Sequence, residues 1–122
     1  MQINRDPTSA HYLIKRYSAE AITINNVDYH QSLIINADIL ITDWRPQVLA
    51  DLGPEDFTRI LALKPAIVLL GVGEQHQFPD PQLFQSFYQQ HIGVEIMTTG
   101  AACRTFNLLV SEGRGVVAAL LR

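Results

Sequence analysis

The chain has 122 residues, 48% hydrophobic and 17% charged, which supplies enough apolar material for one packed core and too little charge for a disordered segment. Its net charge of −3, with nine Lys and Arg scattered along the chain, leaves no electrostatic footprint for nucleic acid. One cysteine excludes an internal disulfide framework and fits a reducing compartment, and no apolar run approaches the ~20 residues that cross a bilayer.

The N-terminal stretch MQINRDPTSAHYLIKRY lacks the apolar h-region of a secretory signal. The expectation is a soluble, cytoplasmic protein of one domain, residues 1–122, with polar residues 1–10 loosely ordered on the surface. Tyr12 to Tyr17 and Ala21 to Ile24 read as short β runs around a polar turn, and Asn25-Asn26 suits a left-handed turn before Val27. Ser32 to Ile35 and Ile39 to Thr42 are further β-branched runs, split by Asn36-Ala37-Asp38, so the first third reads as antiparallel β.

After Trp44 the pattern changes. Gly53-Pro54-Glu55-Asp56 starts a helix, with proline in the first turn and acids at the positive dipole end. Phe57, Ile60, Leu61 and Leu63 recur at helical spacing until Lys64-Pro65 stops it. Ala66 to Leu70 is wholly apolar and ends at Gly71, as a strand covered on both faces would. Asp80-Pro81 opens a second helix with Leu83, Phe84, Phe87 and Tyr88 as its stripe and Gly93 after its end. Val94 to Met97 is a second buried strand, expected to lie parallel beside Ala66 to Leu70 at the centre of the sheet. A third helix runs from about Gly100 to Ser111, Gly113 breaks it, and Val116 to Leu121 forms the last strand. This alternation implies an α/β fold with a largely parallel central sheet and an added N-terminal antiparallel β portion.

Few residues point to chemistry. Gly71-Val72-Gly73 follows a strand, but His76 stands where a dinucleotide loop places its third glycine, and no GxxxxGK[ST] occurs. Cys103 falls in the first turn of the third helix, yet it shares a face with Ala102, Phe106, Leu109 and Val110, the face that should pack on the sheet. His76 and His91 are bases by type only. The four histidines lack HxxxH or HExxH spacing, and no G-x-S-x-G elbow is present, so neither metal nor cofactor is expected. Arg104 and Asn107 share another side of the third helix, suited either to gripping a ligand or to holding neighbouring loops. Trp44, beside charged residues at a strand end, either lines a pocket or caps the core. Glu112 and Arg114 read as a solvated pair.

The segments PAIVLLGVGEQHQFP and GVEIMTTGAACRTFNLLVSEGRGVVAALL resemble a family of small domains of unknown function found in bacteria and archaea. A mitochondrial relative of that family is the third-named assembly factor of respiratory complex I (NADH:ubiquinone oxidoreductase). The likeness runs from about Ile24 to Leu120 and includes Trp44 and, near the C-terminus, Thr99, Ala102, Arg104, Thr105, Asn107, Leu109, Glu112, Arg114, Val117 and Ala119. Phe106 replaces a common tyrosine, and Val72 replaces a small polar residue between the glycines. The resemblance implies a three-layer α/β fold with a mixed central sheet and no assigned enzymatic activity.

Two functions fit these observations. One is a non-catalytic interaction or assembly factor for a respiratory or membrane complex, acting through a protein partner without inserting in the membrane. The other is a small-molecule or anion binder, or minor enzyme, working at the carboxyl ends of the parallel strands, where Trp44, Gly71, Gly73, Thr98, Thr99, Gly100, Arg104 and Asn107 would converge. Thr98 or Thr99 should cap the third helix, with the Gly71–Gly73 loop facing its exposed N–H groups.

Overall fold

The computed structural model describes residues 11–122; the expectation for residues 1–10 lies outside the described residues. Strands β1 (Ile14–Tyr17), β2 (Ile22–Ile24) and β3 (Val27–Tyr29) form an antiparallel sheet in the order β1-β2-β3. The turn between β2 and β3 rests on Asn25 in the left-handed region, φ 55°. Its side chain also fastens the preceding segment, accepting from Leu13 N–H at 3.1 Å and donating to the His11 carbonyl at 2.7 Å. That double use explains why asparagine serves here.

A second sheet contains β4 (Leu33–Ile35), β5 (Leu40–Ile41), β6 (Ile67–Gly71), β7 (Gly93–Met97) and β8 (Val116–Leu120) in the order β5-β4-β8-β6-β7. β6 pairs in parallel with both β7 and β8, whereas β4 pairs antiparallel with β8 and β5. The fold is therefore mixed α/β, with a parallel half and an antiparallel half. One expectation needs correcting. β6 and β7 are parallel neighbours, but β7 lies at the sheet edge and β8 takes the place beside β6. The reason is legible in the residues. Gly93 and Glu95 on β7 are exposed, whereas Val116-Val117-Ala118-Ala119-Leu120 has no polar side chain and is buried throughout.

Side-chain alternation divides the core between the two faces of this sheet. Leu33, Ile35, Leu69, Ala118 and Leu120 face the three-stranded sheet and helix α3 (Thr99–Ser111), which contributes Ala102, Cys103, Phe106 and Val110. Ile34, Val68, Leu70, Val117 and Ala119 face the other way, onto Trp44 and two short helices, α1 (Thr58–Ala62) and α2 (Gln85–Gln89). Three layers result. The short helices are each preceded by a 3₁₀ turn, Pro54–Phe57 and Pro81–Phe84, with proline at its start. Five-residue helices do not stand alone in water, so their burial against the sheet stabilises them. Phe57 supplies much of it, stacked on Phe84 at 5.6 Å and tilted against Phe87 at 4.9 Å. Tyr88, expected on that stripe, turns outward and is half exposed.

Candidate functional site

The start of α3 follows β7 through one residue, Thr98, whose side chain caps the helix by accepting from Ala101 N–H at 3.3 Å. Thr99 is fully buried and acts differently. Its hydroxyl donates to the Leu121 carbonyl at 2.6 Å and accepts from Gly73 N–H at 2.9 Å, and its own N–H donates to the Gly73 carbonyl at 2.9 Å. One threonine thus ties the ends of β6 and β8 to the helix start. Gly71 permits this, since a Cβ there would stand 2.8 Å from Thr99 Cα. Gly73 then turns with φ 106°. The loop does face the helix start. It also takes up part of it: Thr99 N–H donates to the Gly73 carbonyl, Gly73 N–H to the Thr99 hydroxyl, and Ala101 N–H to the Thr98 cap.

The expected convergence of eight residues divides into four places. Trp44 is on the opposite face of the sheet, buried with Phe57, Val68 and Leu70, and its indole N–H donates to the Asp56 carbonyl at 2.9 Å. It caps a core, held in place beside an Arg45–Asp56 ion pair at 2.6 Å. Gly73 borders a hollow of about 370 Å³ with Val48, Glu74, Gln75, Gln77 and Arg122. Gly100, Arg104 and Asn107 line a separate groove of about 320 Å³ between β1 and α3. Gly71, Thr98 and Thr99 supply the bonded helix start.

The groove contains residues that sequence reasoning did not select, namely Lys15, Arg16 and Tyr17 of β1. A signal existed. Two basic residues and an aromatic run consecutively, but in a regular strand neighbours point to opposite faces, which hid their joint placement. A β-bulge removes that alternation: Ile14 pairs with Ile24 and Arg16 with Thr23, so two steps on β1 answer one on β2. Asn107 anchors the far wall. Its amide accepts from Ile14 N–H at 3.0 Å and donates to the Ile14 carbonyl at 2.6 Å, completing the open edge of β1 from the helix.

Cys103 borders the groove but is 3% exposed, and burial pushes its thiol up to about 12 against the weaker opposing charge of Arg104. A thiol so shifted is protonated at neutral pH. Neither His76 nor His91 lines this groove; the His76 ring lies against Phe78 at 4.5 Å on the exposed loop after β6. Burial also raises the Tyr17 hydroxyl, with help from the charge of Glu74. Arg114 and Glu112 stand 4.0 Å apart, both half exposed, as a solvated pair. Among the described residues, no group of three or more His, Cys, Asp or Glu is placed to hold a metal ion, and no helix is long and apolar enough to cross a membrane.

Residues 14–121 match the family described as "Protein of unknown function (DUF498/DUF598)", and the chain belongs to it. Among curated relatives, it is 32% identical over 120 residues to the NADH dehydrogenase [ubiquinone] 1 alpha subcomplex assembly factor 3 of Xenopus tropicalis, covering 88% of this chain and 65% of that protein. The chain therefore spans about two-thirds of that relative. It is 26% identical over 118 residues to the 13 kDa major membrane protein of Francisella tularensis subsp. holarctica, covering 95% of each. An NMR structure of a Xanthomonas campestris protein superposes with a TM-score of 0.84 at 36% identity, covering 99% of this chain and 92% of that one.

Proposed function

We propose that this member of the family is a non-catalytic interaction protein, one folded unit acting in the cytoplasm, that supports assembly of a respiratory or membrane complex through a protein partner. The likeness to an assembly factor along most of the chain carries this reading. The groups that would perform chemistry at the strand ends are engaged in holding the fold: Thr98 caps, Thr99 and Gly73 bond each other, and Cys103 is buried and protonated. Phe78 supports a contact role, since an aromatic ring 90% exposed on a loop gains from being covered. The rival reading, a small-molecule binder, has in its favour the hollow beside Gly73.

Affinity capture of the tagged protein from its native cell separates the two. Recovery of respiratory-complex subunits is expected. A co-purifying metabolite, with no such subunits recovered, would overturn the assembly reading.

A further inference from the structure

We propose that the groove between β1 and α3 binds an acidic, extended segment of a protein partner through Lys15, Arg16 and Arg104. This rests on the interaction reading above and adds to it the place and the chemistry of contact.

Charge distribution comes first. In a chain of net charge −3, the groove is lined by three basic residues and, among the described residues, no acidic one. Elsewhere arginines have partners: Arg45, Arg59 and Arg114 each lie within 4.0 Å of a carboxylate, and Arg122 donates to the His30 carbonyl. Lys15, Arg16 and Arg104 have no carboxylate partner among the described residues, and all three are exposed. Glu74 acts on Tyr17 through its charge but does not line the groove.

The geometry is specific. The β1 bulge brings consecutive basic residues to one groove, where a regular strand would separate them. Gly100 lets α3 approach β1, because a Cβ there would meet the Tyr17 ring at 3.1 Å. The same bare position has the Arg104 guanidinium alongside, with Nη1 3.6 Å from that Cβ point. Positive charge therefore comes from both walls, Lys15 and Arg16 on β1 and Arg104 on α3.

A protein segment suits the site better than a metabolite. Small-ligand pockets fix orientation with a few rigid polar groups. Here Asn107, the carboxamide of the groove, has its amide oxygen and nitrogen committed to Ile14, which leaves the Tyr17 hydroxyl as the uncharged oxygen of the described lining. What remains is charge on long side chains, beside Ile14 and the Tyr17 ring, which gives steering and register to a flexible acidic chain.

Titration with hexaglutamate, hexaglutamine, citrate and phosphate, followed by amide NMR shifts, tests this. Hexaglutamate should give saturable shifts centred on Lys15, Arg16, Gly100 and Arg104, and hexaglutamine none. Arg16→Glu with Arg104→Glu should weaken binding at least about tenfold while leaving spectral dispersion intact, and Arg114→Glu should not. Shifts centred elsewhere, or their absence, would overturn the groove. Citrate or phosphate binding there more tightly than hexaglutamate would overturn the choice of a peptide. Capture from cells separates this proposal from the assembly reading. Complex subunits recovered equally by the doubly reversed variant would sink the groove alone. Hexaglutamate bound in the groove, with no subunits recovered by the wild type, would sink the assembly reading and leave the groove standing.

Discussion

Two regions meet at the N-terminal half of α3, and they have opposite characters. At the ends of β6 and β8, Thr99 joins Gly73 and Leu121 in a buried network in which donors and acceptors answer each other. On the outer side of the same helix, Lys15, Arg16 and Arg104 surround a groove without any acid of the described residues among its lining. Topology pointed to the first as a binding site, since ligands of parallel sheets gather at the carboxyl ends of strands. The chain has closed that place with its own backbone. A helix start after a parallel strand binds a ligand through free N–H groups, and here the loop takes that of Thr99 while the Thr98 cap takes that of Ala101.

The largest test of the closed region is Gly71→Val. Its Cβ would meet Thr99 Cα at 2.8 Å, a backbone atom that cannot swing aside. A loss of about 3 kcal/mol in urea unfolding is expected, at the upper end of overpacking costs. A midpoint like the wild type would show that the helix start is not pinned. Next comes Thr99→Val, which keeps the shape but leaves the Leu121 carbonyl and the Gly73 N–H without their hydroxyl partner. About 2 kcal/mol should be lost, and Thr99→Ser should recover most of it. An undiminished stability for the valine variant would mean that the network contributes nothing.

On the open side, Asn107→Ala removes both bonds to Ile14 and should cost about 1–2 kcal/mol. Hydrogen exchange of the Ile14 amide should accelerate while β6 and β8 stay protected. Equal acceleration everywhere would contradict a local tether. Cys103→Ala should cost on the order of 1 kcal/mol, as a small core truncation does, and thiol labelling of the native protein should be slow until denaturant is added. Rapid stoichiometric labelling at neutral pH would reverse that conclusion. Because burial raises the folded thiol to about 12 from an ordinary value near 9.0, its contribution is complete below the unfolded value. Above it the unfolded chain sheds the proton first, so stability falls from about pH 9 towards pH 12, and Cys103→Ala should flatten that fall. The smallest effect belongs to Arg104→Ala, exposed and without a carboxylate partner among the described residues, which should change stability by no more than about 0.5 kcal/mol. A larger loss would make it part of the fold and not a contact residue.

Local patterning was enough for much of this protein. Apolar runs bounded by Gly, Pro and Asn marked β1, β2, β4, β5, β6, β7 and β8, because a strand buried on one or both faces writes its period into the residues, whereas the largely exposed β3 was not marked as a strand. Pro54 and Pro81 marked helix starts, and the Cys103 face of α3 could be read as core from helical spacing alone. The order of strands could not be read in this way. β7 and β8 are both short apolar segments, and which one lies beside β4 depends on contacts far apart in sequence, such as Ile34 opposite Ala119. Trp44 was left between the crevice and a core cap because strand ends look alike in sequence, and only the packing of Phe57 and Val68 around it decides which face it joins. The groove is the clearest case. Lys15 and Arg16 were visible as charges, but a bulge against β2 and a bare Gly100 beneath Arg104 were needed to bring them together. Sequence determined which segments are strand, helix or turn, since those preferences are local. Tertiary structure decided which donors were used up and which cations were left facing one another, since that depends on what each segment packs against.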